Sequence, residues 1–228
     1  MKHAGKARQD GIGLMLRSFA IVALFGGGGA LAVASVSAFK AAAGTLILAW
    51  ILFALFCLNF FRDPQASVPA DPNAIVAPAH GRVDLIEEAT ESEFISGPCR
   101  RISTFLSVFD VHIQNAPVSG RISFIAHRPG KFFNAMKVHL SAQNENVLIG
   151  LESSERPGER IAVRLIAGLI ARRIVPWVVL NEVVHRGERT SLIRFGSRVD
   201  LYLPLTAKVC VRLGDRVKGG ETIVATRT

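Results

Sequence analysis

Two long uncharged runs near the N-terminus set the pattern of this chain. Residues 19–39 carry no charge, Lys40 interrupts, and residues 41–61 are uncharged again. Each run is about the 20 residues that a helix needs to cross bilayer hydrocarbon. Together they predict a two-helix transmembrane hairpin over 19–61. Gly26, Gly27, Gly28 and Gly29 weaken the first helix in isolation, although small residues also let it pack closely against the second.

From Arg62 onward the pattern shortens. Asp63-Pro64 and the prolines at 69 and 72 make a turn-rich linker. Residues 74–86 read as two short strands around a turn, 102–109 as an apolar β-prone run, and 121–126 as a half-buried strand with period-two alternation. The long apolar run 161–177 breaks into strand pieces near Gly168. Arg186-Gly187-Glu188-Arg189-Thr190 and Gly219-Gly220-Glu221-Thr222 echo one another, as paired hairpins of a small β sandwich or barrel would. The predicted class is a mainly β (β-rich α+β) domain over 62–228, behind a basic tail at 1–18 and the hairpin at 19–61.

Charge orients this arrangement. The tail holds Lys2, Lys6, Arg8 and Arg17 against Asp10, and Arg62 directly follows the second run. The positive-inside rule therefore places both ends in the cytoplasm, with Lys40 at the outer turn. A cleaved secretory signal ending near Val36-Ser37-Ala38 is the competing reading, and it would leave the domain outside. The 228 residues are 50% hydrophobic with a net charge of +9. The basic balance suits an anionic partner. Aromatics are sparse outside the apolar runs and no nucleic-acid motif is present, so a phospholipid surface is the expected partner. Cys57, Cys99 and Cys210 form no metal or disulfide spacing, and no metal site is expected.

The candidate chemistry lies in Arg194-Phe195-Gly196-Ser197-Arg198-Val199-Asp200. A serine hydroxyl attacking the carbonyl of its own preceding residue needs a backbone bent away from the usual minima. Glycine tolerates φ > 0 and leaves its carbonyl open. Elimination from the resulting ester would leave dehydroalanine, and hydrolysis of that would leave a pyruvoyl group at position 197, a ketone able to form an imine with a substrate amine. Gly-Ser alone is also a common turn pair. Asp110 and His112 stand two apart, so on a strand both would share a face and the carboxylate could orient the imidazole.

Several blocks in order resemble the short bacterial phosphatidylserine decarboxylases. They are Phe105-Leu106-Ser107-Val108-Phe109-Asp110-Val111-His112, Asn115-Ala116-Pro117-Val118-Ser119-Gly120, His127-Arg128-Pro129-Gly130-Lys131-Phe132, Glu145-Asn146, residues 166–174, and Ile193-Arg194-Phe195-Gly196-Ser197-Arg198-Val199-Asp200. The resemblance implies a proenzyme cut between Gly196 and Ser197 into a β chain, 1–196, and an α chain, 197–228. The two would remain a heterodimer, with higher oligomers open. It further implies conversion of phosphatidylserine to phosphatidylethanolamine through a Schiff base on the pyruvoyl of Ser197, at the bacterial inner membrane. His112 matches the histidine assigned to decarboxylation. The family usually has Asp before the glycine where this chain has His80-Gly81, and that acid is thought to assist self-cleavage; His80 could itself be the base. Longer members carry a second histidine where Asn115 stands.

Phosphate and carboxylate of the substrate suit guanidinium forks, which makes Arg172, Arg173, Arg194 and Arg198 candidates. A solvated basic face is the plainer reading of each. Lys131-Phe132-Phe133 could dip into headgroups or form a buried pair. The functional alternative is an uncleaved membrane-anchored β module that binds anionic lipid. A serine hydrolase is disfavoured, because Val199 occupies the second glycine place of a G-x-S-x-G elbow.

Overall fold

The computed structural model describes residues 2–32, 37–133, 141, 143–169, 173–194 and 196–227. They fall into two compact units, Gly5–Asp63 and Met1–Ala4 with Pro64–Thr228.

The first unit is two helices, α1 (Lys6–Ala32) and α2 (Ser37–Phe60). Gly11 lies against Phe61, while Ser18 accepts the indole N–H of Trp50 at 3.1 Å and Phe19 packs on Trp50 with ring centroids 5.1 Å apart. Contacts that rise along α1 as they fall along α2 make the pair antiparallel. Among the described residues, one stretch, Ala41–Phe60 in α2, is long and apolar enough to cross a membrane, and only 6% of it is buried. A helix at the core of a water-soluble protein would bury its leucines; here Leu48, Leu52, Leu55 and Leu58 face outward. The basic segment expected as a tail is helical from Lys6, so α1 starts a dozen residues earlier than the uncharged run.

The second unit is β-rich, as its pattern predicts. Its strands are β1 (Ala74–Val76), β2 (Gly81–Glu91), β3 (Gly97–Leu106), β4 (Ile113–Asn115), β5 (Gly120–Arg128), β6 (Asn146–Ser153), β7 (Arg160–Ala167), β8 (Ile174–Pro176), β9 (Val183–Val184), β10 (Arg189–Ile193), β11 (Ser197–Leu203), β12 (Lys208–Val209), β13 (Arg216–Val217) and β14 (Ile223–Thr226). Eight of them form a curled half-barrel in the order β13-β2-β3-β11-β7-β6-β5-β9, and two three-stranded sheets, β1-β14-β12 and β4-β10-β8, accompany it. The run 161–177 breaks at Gly168 into β7 and β8, while β3 stops at Leu106 and the chain turns through 107–110.

The sequence echo is a real structural repeat. Gly187 and Gly220 both adopt positive φ, +78° and +75°, at equivalent turns. Gly220 N–H donates to Ala77 O (2.9 Å) and Gly187 N–H to Ala116 O (2.8 Å). Two Ala-Pro segments, Ala77-Pro78 and Ala116-Pro117, then bind one another: Asn115 N–H donates to Pro78 O (2.8 Å) and Val76 N–H to Pro117 O (3.0 Å). This cross-tie satisfies backbone groups that a buried crossing would otherwise strand.

β11 lies between β3 and β7 and is buried along its whole length, so both of its faces need partners. Val199, Leu201 and Leu203 enter the main apolar core with Ile102, Leu106, Leu165 and Ile193. Alternation sends Arg198, Asp200 and Tyr202 to the opposite face. There Tyr202 joins a smaller cluster with Phe94, Cys99, Leu148 and Ala162. Burial pushes the Asp200 carboxyl up, against the opposing pull of Arg101 at 3.7 Å, and raises the Tyr202 hydroxyl to about 12.

Candidate active site

Three strand ends meet at Ser197. It opens β11, paired with Leu106 at the end of β3 on one side and Ala167 at the end of β7 on the other. The residue is fully buried, and its hydroxyl oxygen has no hydrogen-bond partner among the described residues. A buried hydroxyl usually finds one, so this orphan atom marks a place built for something other than stability. Gly196 immediately before it has φ = +75°, the left-handed region in which a side chain would be strained.

His112 is fully buried beside this bond. Its Nε2 accepts the Gly196 N–H at 3.0 Å, and its Nδ1 stands 2.9 Å from the Asp110 carbonyl oxygen. An amide only donates and a carbonyl only accepts. The two contacts therefore fix the neutral tautomer with the proton on Nδ1. His112 also accepts the Ile193 N–H on its own carbonyl (3.2 Å), which ties the turn to β10.

Asp110 orients the imidazole, but through its main chain. The two residues lie in the turn after β3, off any strand, so the shared strand face expected from their spacing does not form. The Asp110 carboxylate points to the other side of the turn, accepting the Ser107 N–H (2.8 Å) and hydroxyl (2.7 Å) and lying 3.4 Å from Arg216.

The arginines divide. Arg198, next to Ser197 on a strand, points to the opposite face, where its two terminal nitrogens clasp both Asp84 carboxylate oxygens, one at 2.9 Å. Burial raises the Asp84 carboxyl, with Arg198 pulling the other way. This corrects the expectation that Arg198 serves as an anion fork for a ligand beside Ser197. Asp84 itself escaped the sequence reading. Its signal is the break of alternation at Val83-Asp84-Leu85-Ile86, which the structure resolves as a register shift between Val83 and Leu85. Arg173 and Arg194 do come together: the Arg194 N–H donates to the Arg173 carbonyl at 3.2 Å, continuing the β8–β10 ladder past Ile174 and Ile193. Arg173 is exposed and Arg194 half-buried. Arg172 lies outside the described residues.

His80 is half-buried and lines a small cavity with Asn115, Val111, Arg189 and Gly219. Register gives its distance from the serine. Arg82 and Arg198 flank Phe105 from opposite sides of β3, which sets the His80-Gly81 end two strand spacings, about 10 Å, from Ser197. Asn115 is committed elsewhere: its side-chain amide donates to Gly187 O at 2.8 Å. A brace absent from the sequence reading is Asn144, whose amide donates to Ala167 O (2.7 Å) and Phe133 O (2.8 Å). It fastens the Lys131-Phe132-Phe133 segment to the end of β7, with the Lys131 ammonium 5.4 Å from the Phe133 ring.

A second concavity of about 590 Å³, lined by Arg82, Asp84, Phe105, Asp110, Leu213 and Arg216, opens on the far side of the same turn.

Comparison with known sequences gives a consistent result. The sequence model described as phosphatidylserine decarboxylase matches residues 53–225. A protein of Desulfotalea psychrophila named phosphatidylserine decarboxylase proenzyme is 44% identical over 179 residues, covering 78% of this chain and 83% of the relative. One of the same name from Ruegeria pomeroyi is 45% identical over 184 residues, with 78% and 83% covered. A third, from Symbiobacterium thermophilum, is 43% identical over 171 residues, with 75% and 79% covered.

Proposed function

The chain belongs to the phosphatidylserine decarboxylase family, and from that premise we propose that it is a self-cleaving proenzyme whose Ser197 becomes a pyruvoyl group that decarboxylates phosphatidylserine to phosphatidylethanolamine. The observation that carries this reading is the buried Ser197 hydroxyl, unpartnered among the described residues, directly after a glycine at φ = +75°. In maturation the Ser197 oxygen attacks the Gly196 carbonyl and the peptide nitrogen leaves with a proton, giving an ester. Loss of the Ser197 α-proton expels the Gly196 carboxylate. The dehydroalanine left at the new terminus takes up water and releases ammonia. The products are a β chain, 1–196, and an α chain, 197–228, held together by the ladders of β11 to β3 and β7.

The residues present fit such a group. Ser197 sits in a wall of Leu106 and Ala167, and a dry wall favours loss of a charged carboxylate as neutral carbon dioxide. The pyruvoyl ketone supplies an electron sink once joined to the substrate amine. His112 holds its Nδ1 proton on the Asp110 carbonyl, which leaves Nε2 as the working nitrogen. Cleavage turns Gly196 into a chain end, so its N–H is no longer bound to stay on Nε2. That nitrogen is then placed to deliver a proton to the carbon from which carbon dioxide departs. Arg173 and Arg194 hold the substrate phosphate, with Arg172 as a further candidate. The helix pair anchors the domain, and the basic residues flanking it favour the cytoplasmic side of the inner membrane.

Intact-mass measurement of the purified protein under denaturing conditions tests the reading directly. Two species divided after Gly196, the smaller with a blocked terminus at 197, are expected. A single 24.6 kDa chain after prolonged incubation would leave the uncleaved lipid-binding module as the function.

His80 is the candidate base for Ser197 in maturation. His80→Asp is expected to mature as fast as wild type or faster, measured as conversion of intact chain to two chains on a gel. Slower conversion in the Asp variant would identify the imidazole itself as the base that takes the Ser197 proton.

A further inference from the structure

Resting on the self-cleaving reading above, we propose that Asp84 is a positioning residue of the mature enzyme. Through the guanidinium of Arg198 it holds the pyruvoyl end of the α chain in place once the bond to Gly196 is cut.

Cleavage changes what fixes position 197. In the whole chain it is tethered on both sides; afterwards it is the first residue of a new chain. Ser197 stands on the last rung of β11 in both directions, opposite Leu106, where β3 ends, and Ala167, where β7 ends. Terminal rungs fray, because opening them takes little free energy. A ketone that must meet both a substrate amine and His112 loses much of its rate when displaced by about 1 Å. The ladder alone therefore leaves this end loose where the chemistry needs it fixed.

Arg198 is the next side chain along. It is 1% exposed, on the face of the sheet opposite Ser197, and its two terminal nitrogens grip both carboxylate oxygens of Asp84. A two-point clasp sets direction as well as distance, and a buried guanidinium cannot trade its partner for water. The clasp also joins the two products of cleavage. Arg198 lies in the α chain and Asp84 in the β chain, on strands that flank β3 from either side. Asp84 is the extra residue at the register shift between Val83 and Leu85, outside the pairing of β2 with β3. A bulge leaves such a residue unpaired and re-aims its side chain, here toward the residue that follows the cut. The far end of the α chain is fastened separately: the buried Arg227 guanidinium bonds Glu155 (2.8 Å) and Glu159 (3.0 Å) of the β chain. Loss of Asp84 therefore loosens the head of the α chain and leaves the chain bound.

The test compares cleaved and uncleaved full-length protein by hydrogen exchange, read by mass spectrometry over the first residues of β11. In the mature enzyme, Asp84→Asn is expected to speed exchange there about tenfold; in the Ser197→Ala chain, where Gly196 still tethers the strand, the change is expected to stay below about twofold. Turnover should show the same displacement, with kcat for phosphatidylserine about tenfold lower, KM within about twofold of wild type and the α chain still bound. Arg198→Lys, which keeps the charge but replaces the two-point clasp by one contact, is expected to give the same pattern in milder form. Glu88→Gln, which removes an exposed ion pair to Arg100 from the same strand, is expected to match wild type. Equal acceleration in cleaved and uncleaved chains, unchanged kcat, a raised KM with kcat kept, or an equal effect of Glu88→Gln would each overturn the proposal. So would failure of both Asp84→Asn and Arg198→Lys to fold in the Ser197→Ala chain, which would make the pair a requirement of the fold. A wild-type chain that never divides would remove the self-cleaving reading and this proposal with it, whereas two chains with an unresponsive head would remove the proposal alone.

Discussion

Ser197→Ala should accumulate as one intact 24.6 kDa chain with no phosphatidylserine decarboxylation above background. Alanine has no oxygen to attack Gly196, and nothing that can become a ketone, so maturation and turnover are lost together. What makes this variant informative is the surroundings of the side chain. The Ser197 hydroxyl is buried and makes no hydrogen bond to the described residues, so its removal strands none of them in the core. The ladders to Leu106 and Ala167 use only main-chain atoms and survive the change. The variant is expected to unfold within about 0.5 kcal/mol of an unprocessed wild-type reference, the range of substitutions that disturb no packing or polar pairing. Lost activity therefore reports chemistry. Gel analysis and a carbon dioxide release assay on the same preparation decide the matter. Normal decarboxylation by the alanine variant would end the pyruvoyl reading.

The parts of the fold that rest on local pattern were legible in the chain. Uncharged runs marked the helix pair, and Gly168 marked the break between β7 and β8. Gly196, where the proposed self-cleavage calls for φ > 0, has φ = +75°. Other features depend on which strands become neighbours, and no local pattern carries that. Arg198 read as a free cation because its partner, Asp84, is 114 residues away and reaches it only when β2 and β11 flank β3. Asp110 reads as a carboxylate orienter because a two-residue spacing from His112 shares a face only on a strand. β3 stops at Leu106, so the turn hands orientation to a carbonyl. The second Ala-Pro-x-x-Gly segment, at Ala116, was visible in the chain beside that at Ala77, yet its meaning needed the cross-tie between Asn115 and Pro78.

On the proposed mechanism, His112 serves decarboxylation and not self-cleavage. Its Nε2 is occupied by the Gly196 N–H and its Nδ1 by the Asp110 carbonyl, so in the uncleaved chain neither ring nitrogen is offered to the Ser197 hydroxyl. His112→Ala is accordingly expected to cleave into its two chains while decarboxylation falls about 10²- to 10⁴-fold, the usual worth of a positioned proton donor. The alanine change also removes the acceptor for Gly196 N–H, which can slow cleavage for a reason unrelated to catalysis. His112→Gln resolves this, because its amide oxygen can restore that acceptor but cannot carry a proton at neutral pH. Full cleavage with lost turnover in the glutamine variant would assign His112 to decarboxylation. Wild-type turnover would remove it from the site. An intact chain in both variants would make it a maturation residue, and the proton delivered after carbon dioxide leaves would then have to come from another group.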